Sequence, residues 1–174
     1  MGICSQEHIV FAIKSPFSDP AAEFLPISQE KAANFTREDF SALVHKILGT
    51  KEAYGVKAAA AAEDIIKYYE SQSSSYSRNS YIHIYAQLFS DISFNIPTIR
   101  ESQLKAAAGQ KVYFYVYSFV PEAAKHKLFD GAGHASELSN FFGSFYNIPA
   151  FPLKGDIAKV QKTVVDLFIN FAKT

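Results

Sequence analysis

The 174 residues carry 17 basic and 17 acidic side chains, so the formal net charge is zero, and 48% of them are hydrophobic. That balance offers no basic face for nucleic acid, and the apolar share lies far above that of a disordered chain. Cys4 is the only cysteine, which excludes an internal disulfide and leaves the compartment open.

The aromatic share is 15%, with 16 Phe, 10 Tyr and no Trp, and implies a substantial core or a large buried interface. In chain order, residues 2–13 are apolar and β-branched and predict a strand end running into a loop and a short helix. Residues 16–26 hold three of the seven prolines and predict a connector. Thr36 followed by Asp39 is a helix-start signal. Behind it Phe40, Leu43, Val44, Ile47 and Leu48 keep helical spacing, and Gly49 closes the helix. A second helix is predicted over 57–69, built on five consecutive alanines, 58–62. The serine-rich stretch 71–77 predicts a loop. A third helix over 80–89 leads to Pro97, and 99–107 adds another turn or two.

Residues 111–120, Lys-Val-Tyr-Phe-Tyr-Val-Tyr-Ser-Phe-Val, give the clearest strand signal in the chain, after a turn at Gly109. The near-continuous run of aromatic and β-branched residues suits a strand buried on both faces of an α/β sheet. A glycine-rich loop with Gly131, Gly133 and His134 follows, then a short helix over 137–142. Asp156 is placed as the cap of a long amphipathic helix with Ile157, Val160, Val164, Leu167, Phe168 and Phe171 on its apolar face. One strand cannot satisfy its backbone hydrogen bonds in a core, so the inventory predicts part of a domain whose other strands lie outside these residues.

His8, His45, His83 and His126 show no ligand spacing, and no metal or cofactor is expected. The alternation of Tyr113, Tyr115 and Tyr117 reads as strand packing and not as a platform for bases. No window approaches the roughly 20 continuous apolar residues of a membrane span. The final helix has no strongly basic polar face, so no membrane contact is expected. The first residues lack the basic-then-apolar pattern of a signal peptide. Asn34-Phe35-Thr36 fits the glycosylation sequon.

Two segments carry a resemblance. Gly2-Ile3-Cys4-Ser5-Gln6-Glu7 resembles the segment of type-B carboxylesterases and cholinesterases in which a glycine stands five residues before the triad acid. Gly131-Ala132-Gly133-His134-Ala135-Ser136-Glu137-Leu138, closing with Phe141-Phe142-Gly143, resembles the Gly-x-x-His-Gly-x-Glu segment that holds the triad histidine. Ser90-Asp91-Ile92-Ser93-Phe94-Asn95-Ile96-Pro97, the strand signal, and the terminal Asn170-Phe171-Ala172-Lys173 also look like this family, so the resemblance covers the whole chain.

The resemblance implies an α/β fold, the C-terminal part of an α/β-hydrolase, with 1–174 as one partial domain cut at both ends. It makes Glu7 the triad acid, His134 the general base and Glu137 a support of the histidine loop. The order acid then histidine agrees with α/β-hydrolases. The implied reaction is hydrolysis of a small-molecule carboxylic ester, with no cofactor. Ala135 stands where cholinesterases commonly have glycine, and no Gly-x-Ser-x-Gly or His-Gly-Gly occurs in the chain. The nucleophilic serine and oxyanion donors are therefore expected upstream, and these residues alone are expected to be inactive. A non-catalytic cholinesterase-like binding module and a stand-alone helical interaction domain are the competing expectations. The family and the sequon leave a secreted or endoplasmic-reticulum location open.

Overall fold

A computed structural model describes residues 1–13, 27–73, 81–144 and 151–173. The connector expected at 16–26 lies outside them, as does most of the serine-rich loop. The chain is helix-rich with a two-stranded sheet. Strand β1 (Gly2–Cys4) pairs in parallel with β2 (Tyr115–Tyr117), in the register Gly2 to Tyr115, Ile3 to Val116 and Cys4 to Tyr117. Helices α1 (Ile9–Ala12), α2 (Gln29–Ala33), α3 (Arg37–Ile47), α4 (Lys51–Tyr54), α5 (Ala58–Gln72) and α6 (Tyr81–Ser90) lie between the strands in sequence.

The start of α3 forms as expected. Thr36 Oγ1 accepts from the Asp39 N–H while Asp39 Oδ2 accepts from the Thr36 N–H, a reciprocal capping box. The alanine run forms α5, which continues to Gln72, so Ser71 and Gln72 are helical where a loop was expected. Helix α6 is buried nearly all round, and Ile82, Ile84, Tyr85, Ala86, Leu88 and Phe89 form the middle of the main core. Phe40 and Val44 of α3 and Ile66 of α5 pack against it.

Beyond Ser90 the helix widens into a π-helical turn, Asp91–Asn95, and resumes as α7 (Ile96–Ala107), with Pro97 in its first turn. Pro97 thus stands near the start of a full helix where only a turn or two was expected.

The strand expected over 111–120 contracts to Tyr115–Tyr117. A strand extends only as far as its partner, and β1 supplies three residues. Nor is it buried on both faces: Tyr117 is buried, but Phe114 is 40% and Val116 54% exposed. The residues after the histidine loop form a 3₁₀ turn, Ser136–Leu138, and α8 (Ser139–Phe142). Helix α9 (Gly155–Ala172) is the long amphipathic helix, but Asp156 does not cap it. The cap position is Lys154, without a side-chain bond, and Gly155 at φ 56° opens the helix. Asp156 lies inside the first turn, exposed and paired with Lys159 at 3.0 Å, where its charge still favours the helix N-terminus. Val160 and Val164 pack on a second, smaller core around Cys4, Tyr117 and Ala132.

Candidate active site

Both parallel strands end at the same level, and the site is built from the loops that leave them. Gly2 is required by β2: a Cβ there would fall 2.1 Å from the Tyr115 ring, which lies over it. Past β1, the Ser5 N–H donates to Tyr117 O at 2.8 Å and carries the ladder one residue further. The 5–8 turn then meets the glycine-rich loop. The Gln6 N–H donates to Ala132 O at 2.9 Å, the Ala132 N–H to Ser5 Oγ at 2.9 Å and the His134 N–H to Glu7 O at 3.2 Å. Such close seating explains the glycines: a Cβ on Gly131 would stand 2.6 Å from Gln6 Cγ.

This lacing brings Glu7 and His134, 127 residues apart in sequence, side by side. Glu7 Oε2 lies 2.7 Å from His134 Nδ1. Glu7 is 4% exposed, and its other oxygen, Oε1, accepts the Cys4 N–H at 2.6 Å. A buried carboxylate is thus held at both oxygens, one of them by the imidazole. The hydrogen bond to Glu7 raises the His134 pKa above its usual range, and burial opposes the shift. The imidazole is 44% exposed, and its Nε2 makes no hydrogen bond among the described residues. Phe94 and Phe11 flank it at ring separations of 4.8 and 5.6 Å and lie parallel to each other. A cavity of about 200 Å³, lined by Glu7, Phe94, Thr98, His134, Glu137 and Leu138, opens beside the pair.

Glu137 does not touch the imidazole. Its Oε2 accepts from the Cys4 thiol at 3.0 Å and its Oε1 from the Tyr115 hydroxyl at 3.3 Å. It ties the loop carrying His134 to both strands. Burial, reinforced by this carboxylate, pushes the Cys4 thiol far above its ordinary pKa and Tyr115 up to about 12, so both remain protonated donors. His45 pairs with Glu63 at the surface, away from the dyad, and among the described residues no three His, Cys, Asp or Glu converge as a metal site would require. No described helix is long and apolar enough to cross a membrane.

Sequence reasoning did not single out Phe11 and Phe94 as neighbours of the imidazole. Phe94 owes its place to the π turn. Asp91 fixes that turn by accepting from Tyr69 Oη at 2.8 Å, Gln87 Nε2 at 2.9 Å and Asn95 Nδ2 at 2.7 Å. Gln87 in turn accepts from Gln6, the residue before Glu7. A widened turn has no residue signature comparable to a capping box, and only the aromatic character of Phe94 was legible.

No solved structure matches the chain. Gut esterase 1 of Caenorhabditis briggsae is 26% identical over 163 residues, which are 85% of this chain and 27% of that protein. Gut esterase 1 of Caenorhabditis elegans is 24% identical over 157 residues, again 85% of this chain and 28% of the relative. The chain thus spans little more than a quarter of the length of these relatives. The family model for the carboxylesterase family matches residues 1–174 from end to end. With the motifs around Glu7 and His134 folded onto one another, that match places the chain in the carboxylesterase family.

Proposed function

We propose that the complete protein hydrolyses carboxylic esters through an acyl-enzyme, with His134 as general base and Glu7 as the acid that orients it. The observation that carries this is the 2.7 Å contact from buried Glu7 to His134 Nδ1, with Nε2 left on the open side of the ring. On this proposal the chain is the C-terminal part of an α/β-hydrolase, and the nucleophilic serine belongs to sequence outside these residues. Glu7, just past the end of β1, and His134, on the glycine-rich loop after β2 that is hydrogen-bonded to the Glu7 turn, support that placement.

The chemistry follows from the pair. Glu7 holds the proton on Nδ1, which leaves the Nε2 lone pair to accept the serine proton as Oγ bonds to the ester carbonyl carbon. The imidazolium so formed is stabilised by the Glu7 carboxylate. It returns the proton to the alkoxide when the C–O bond to the alcohol breaks. A water that gives its proton to Nε2 then attacks the acyl carbon, the bond to serine Oγ breaks as Oγ takes that proton back, and the carboxylic acid leaves. Phe11 and Phe94 give one side of the reaction zone an apolar wall, suited to an ester with a hydrophobic group there.

The test is turnover of an activated ester by the complete protein. His134→Ala is expected to lower kcat by several powers of ten, and more than about a tenth of wild-type activity would contradict the assignment. Glu7→Gln is expected to lower kcat with less effect on KM. It should also move the acid limb of the rate profile. The limb lies where His134 loses its base form, and Glu7 raises that pKa. Removing the carboxylate therefore shifts the limb to lower pH; a limb that stays in place would assign the acid to another residue.

A further inference from the structure

His8 follows Glu7 directly and is 5% exposed. Its ring lies among Phe11, Tyr85 and Phe89, at separations of 5.8, 5.9 and 5.2 Å. Neither ring nitrogen has a hydrogen-bond partner among the described residues. Its backbone N–H donates to Ser90 Oγ at 2.8 Å, and that hydroxyl donates to Ala86 O at 2.7 Å. Side chain and main chain of this one residue are both fastened to α6, one peptide bond beyond Glu7.

Such a niche accepts a neutral imidazole as an aromatic wedge, and the described residues around it present no anion to an imidazolium. From α6 the titratable neighbour is Tyr85, which burial pushes up to about 12, so it carries no charge. From α1 the neighbour is Phe11. On its own loop, the two oxygens of Glu7 are engaged by Cys4 and His134. Asp91, next to Ser90, is engaged by Tyr69, Gln87 and Asn95. Burial alone lowers the His8 pKa to about 4, with no charge among the described residues to offset it.

We propose that His8 is an acid-sensitive positioning residue for Glu7: neutral, it pins the Glu7 turn to α6; protonated, it leaves the aromatic niche and draws Glu7 off His134. The inference rests on the Glu7–His134 pair proposed above. The sign follows from linkage. Because folding depresses the His8 pKa below the ordinary 6.5, the anchor is at full strength above that value. It weakens as the pH falls from there towards about 4.

The experiment uses the full-length protein with isotopically labelled histidine, and follows the Nδ1 proton of His134 by NMR. A carboxylate partner moves this resonance far downfield, and His134→Gln identifies it by its loss. Protonating His134 itself retains an Nδ1–H facing Glu7, so disappearance of the signal reports separation of the pair. In the wild type the signal is expected to be lost as the pH falls from 6.5 towards about 4. In His8→Phe, which fills the niche with a ring that cannot be charged, it should be unchanged at pH 7. It should also persist about one pH unit further into acid. Equal acid midpoints in wild type and His8→Phe overturn the inference. If His8→Phe does not fold, His8→Met is judged the same way; failure of both variants at neutral pH also overturns it, by making His8 a requirement at every pH. Absence of the downfield signal from the wild type at pH 7 would instead remove the Glu7–His134 pair itself. None of these outcomes depends on ester turnover.

Discussion

Ala135, immediately after His134, sits at φ 64° and ψ 11°, the only described residue other than glycine with positive φ. In that left-handed region a Cβ crowds the following carbonyl, at a cost of about 1 kcal/mol that glycine escapes. The departure from the family's usual glycine was visible in the sequence; the conformation it strains was not. Ala135→Gly is expected to raise the urea midpoint at unchanged slope, by up to ~1 kcal/mol, because relief of strain exceeds the added freedom of the unfolded chain. A lower midpoint would mean that the methyl group contributes packing worth more than the strain. The contact between Glu7 and His134 was legible for a related reason. Glycines at fixed offsets recorded in the sequence where two loops must touch, at Gly2 under Tyr115 and at Gly131 against Gln6. The hydrogen-bond partners of Glu137 carried no such mark. Its contacts to Cys4 and Tyr115 bridge more than a hundred residues in one case and a loop in the other, and only folding reveals them.

Among the elements, α3 formed where local signals placed it. Helix α3 has its capping box and its apolar stripe, and both are written within a dozen residues. The strand was misjudged because its length depends on a partner, which no local pattern records. Similarly, the π turn at Asp91–Asn95 depends on Asp91 collecting hydrogen bonds from three side chains. Just past the end of α3 the chain passes close against α5. A Cβ on Gly49 would stand 2.5 Å from Ala62 Cβ, and Ala62 is wholly buried. Gly49→Ala is therefore expected to destabilise the protein by about 1–3 kcal/mol by pushing the two helices apart. In a double-mutant cycle, Ala62→Gly should recover part of that loss, although alone it costs about 1 kcal/mol in helix propensity. Purely additive effects would show that the two positions do not press on one another.

At the scale of the whole molecule, the two faces of the sheet are unequal. Tyr113, Tyr115 and Tyr117 alternate towards α9, where Phe171 meets Tyr113 at 5.7 Å and Phe168 meets Tyr115 at 5.6 Å. Phe114 and Val116 point the other way and are 40% and 54% exposed, although Ile3, which pairs with Val116, is buried. Leu104 of α7 is 72% exposed, and Leu167 and Phe171 of α9 are about as open as Tyr113. A two-stranded parallel sheet with a partly open apolar face, and with no third strand among the described residues, is marginal in water and offers its edge to any strand that can pair with it. Prepared as these 174 residues alone, the protein is expected to bind a hydrophobic dye, to elute as an oligomer and to melt over a broad range instead of cooperatively. It should also show no ester turnover above background, since no Gly-x-Ser-x-Gly supplies a nucleophile. Light scattering and calorimetry decide the first point: a monodisperse monomer with a sharp melt would mean that the partly open face needs no partner. Turnover that depends on His134 would decide the second against us, because a nucleophile would then have to lie within the chain itself.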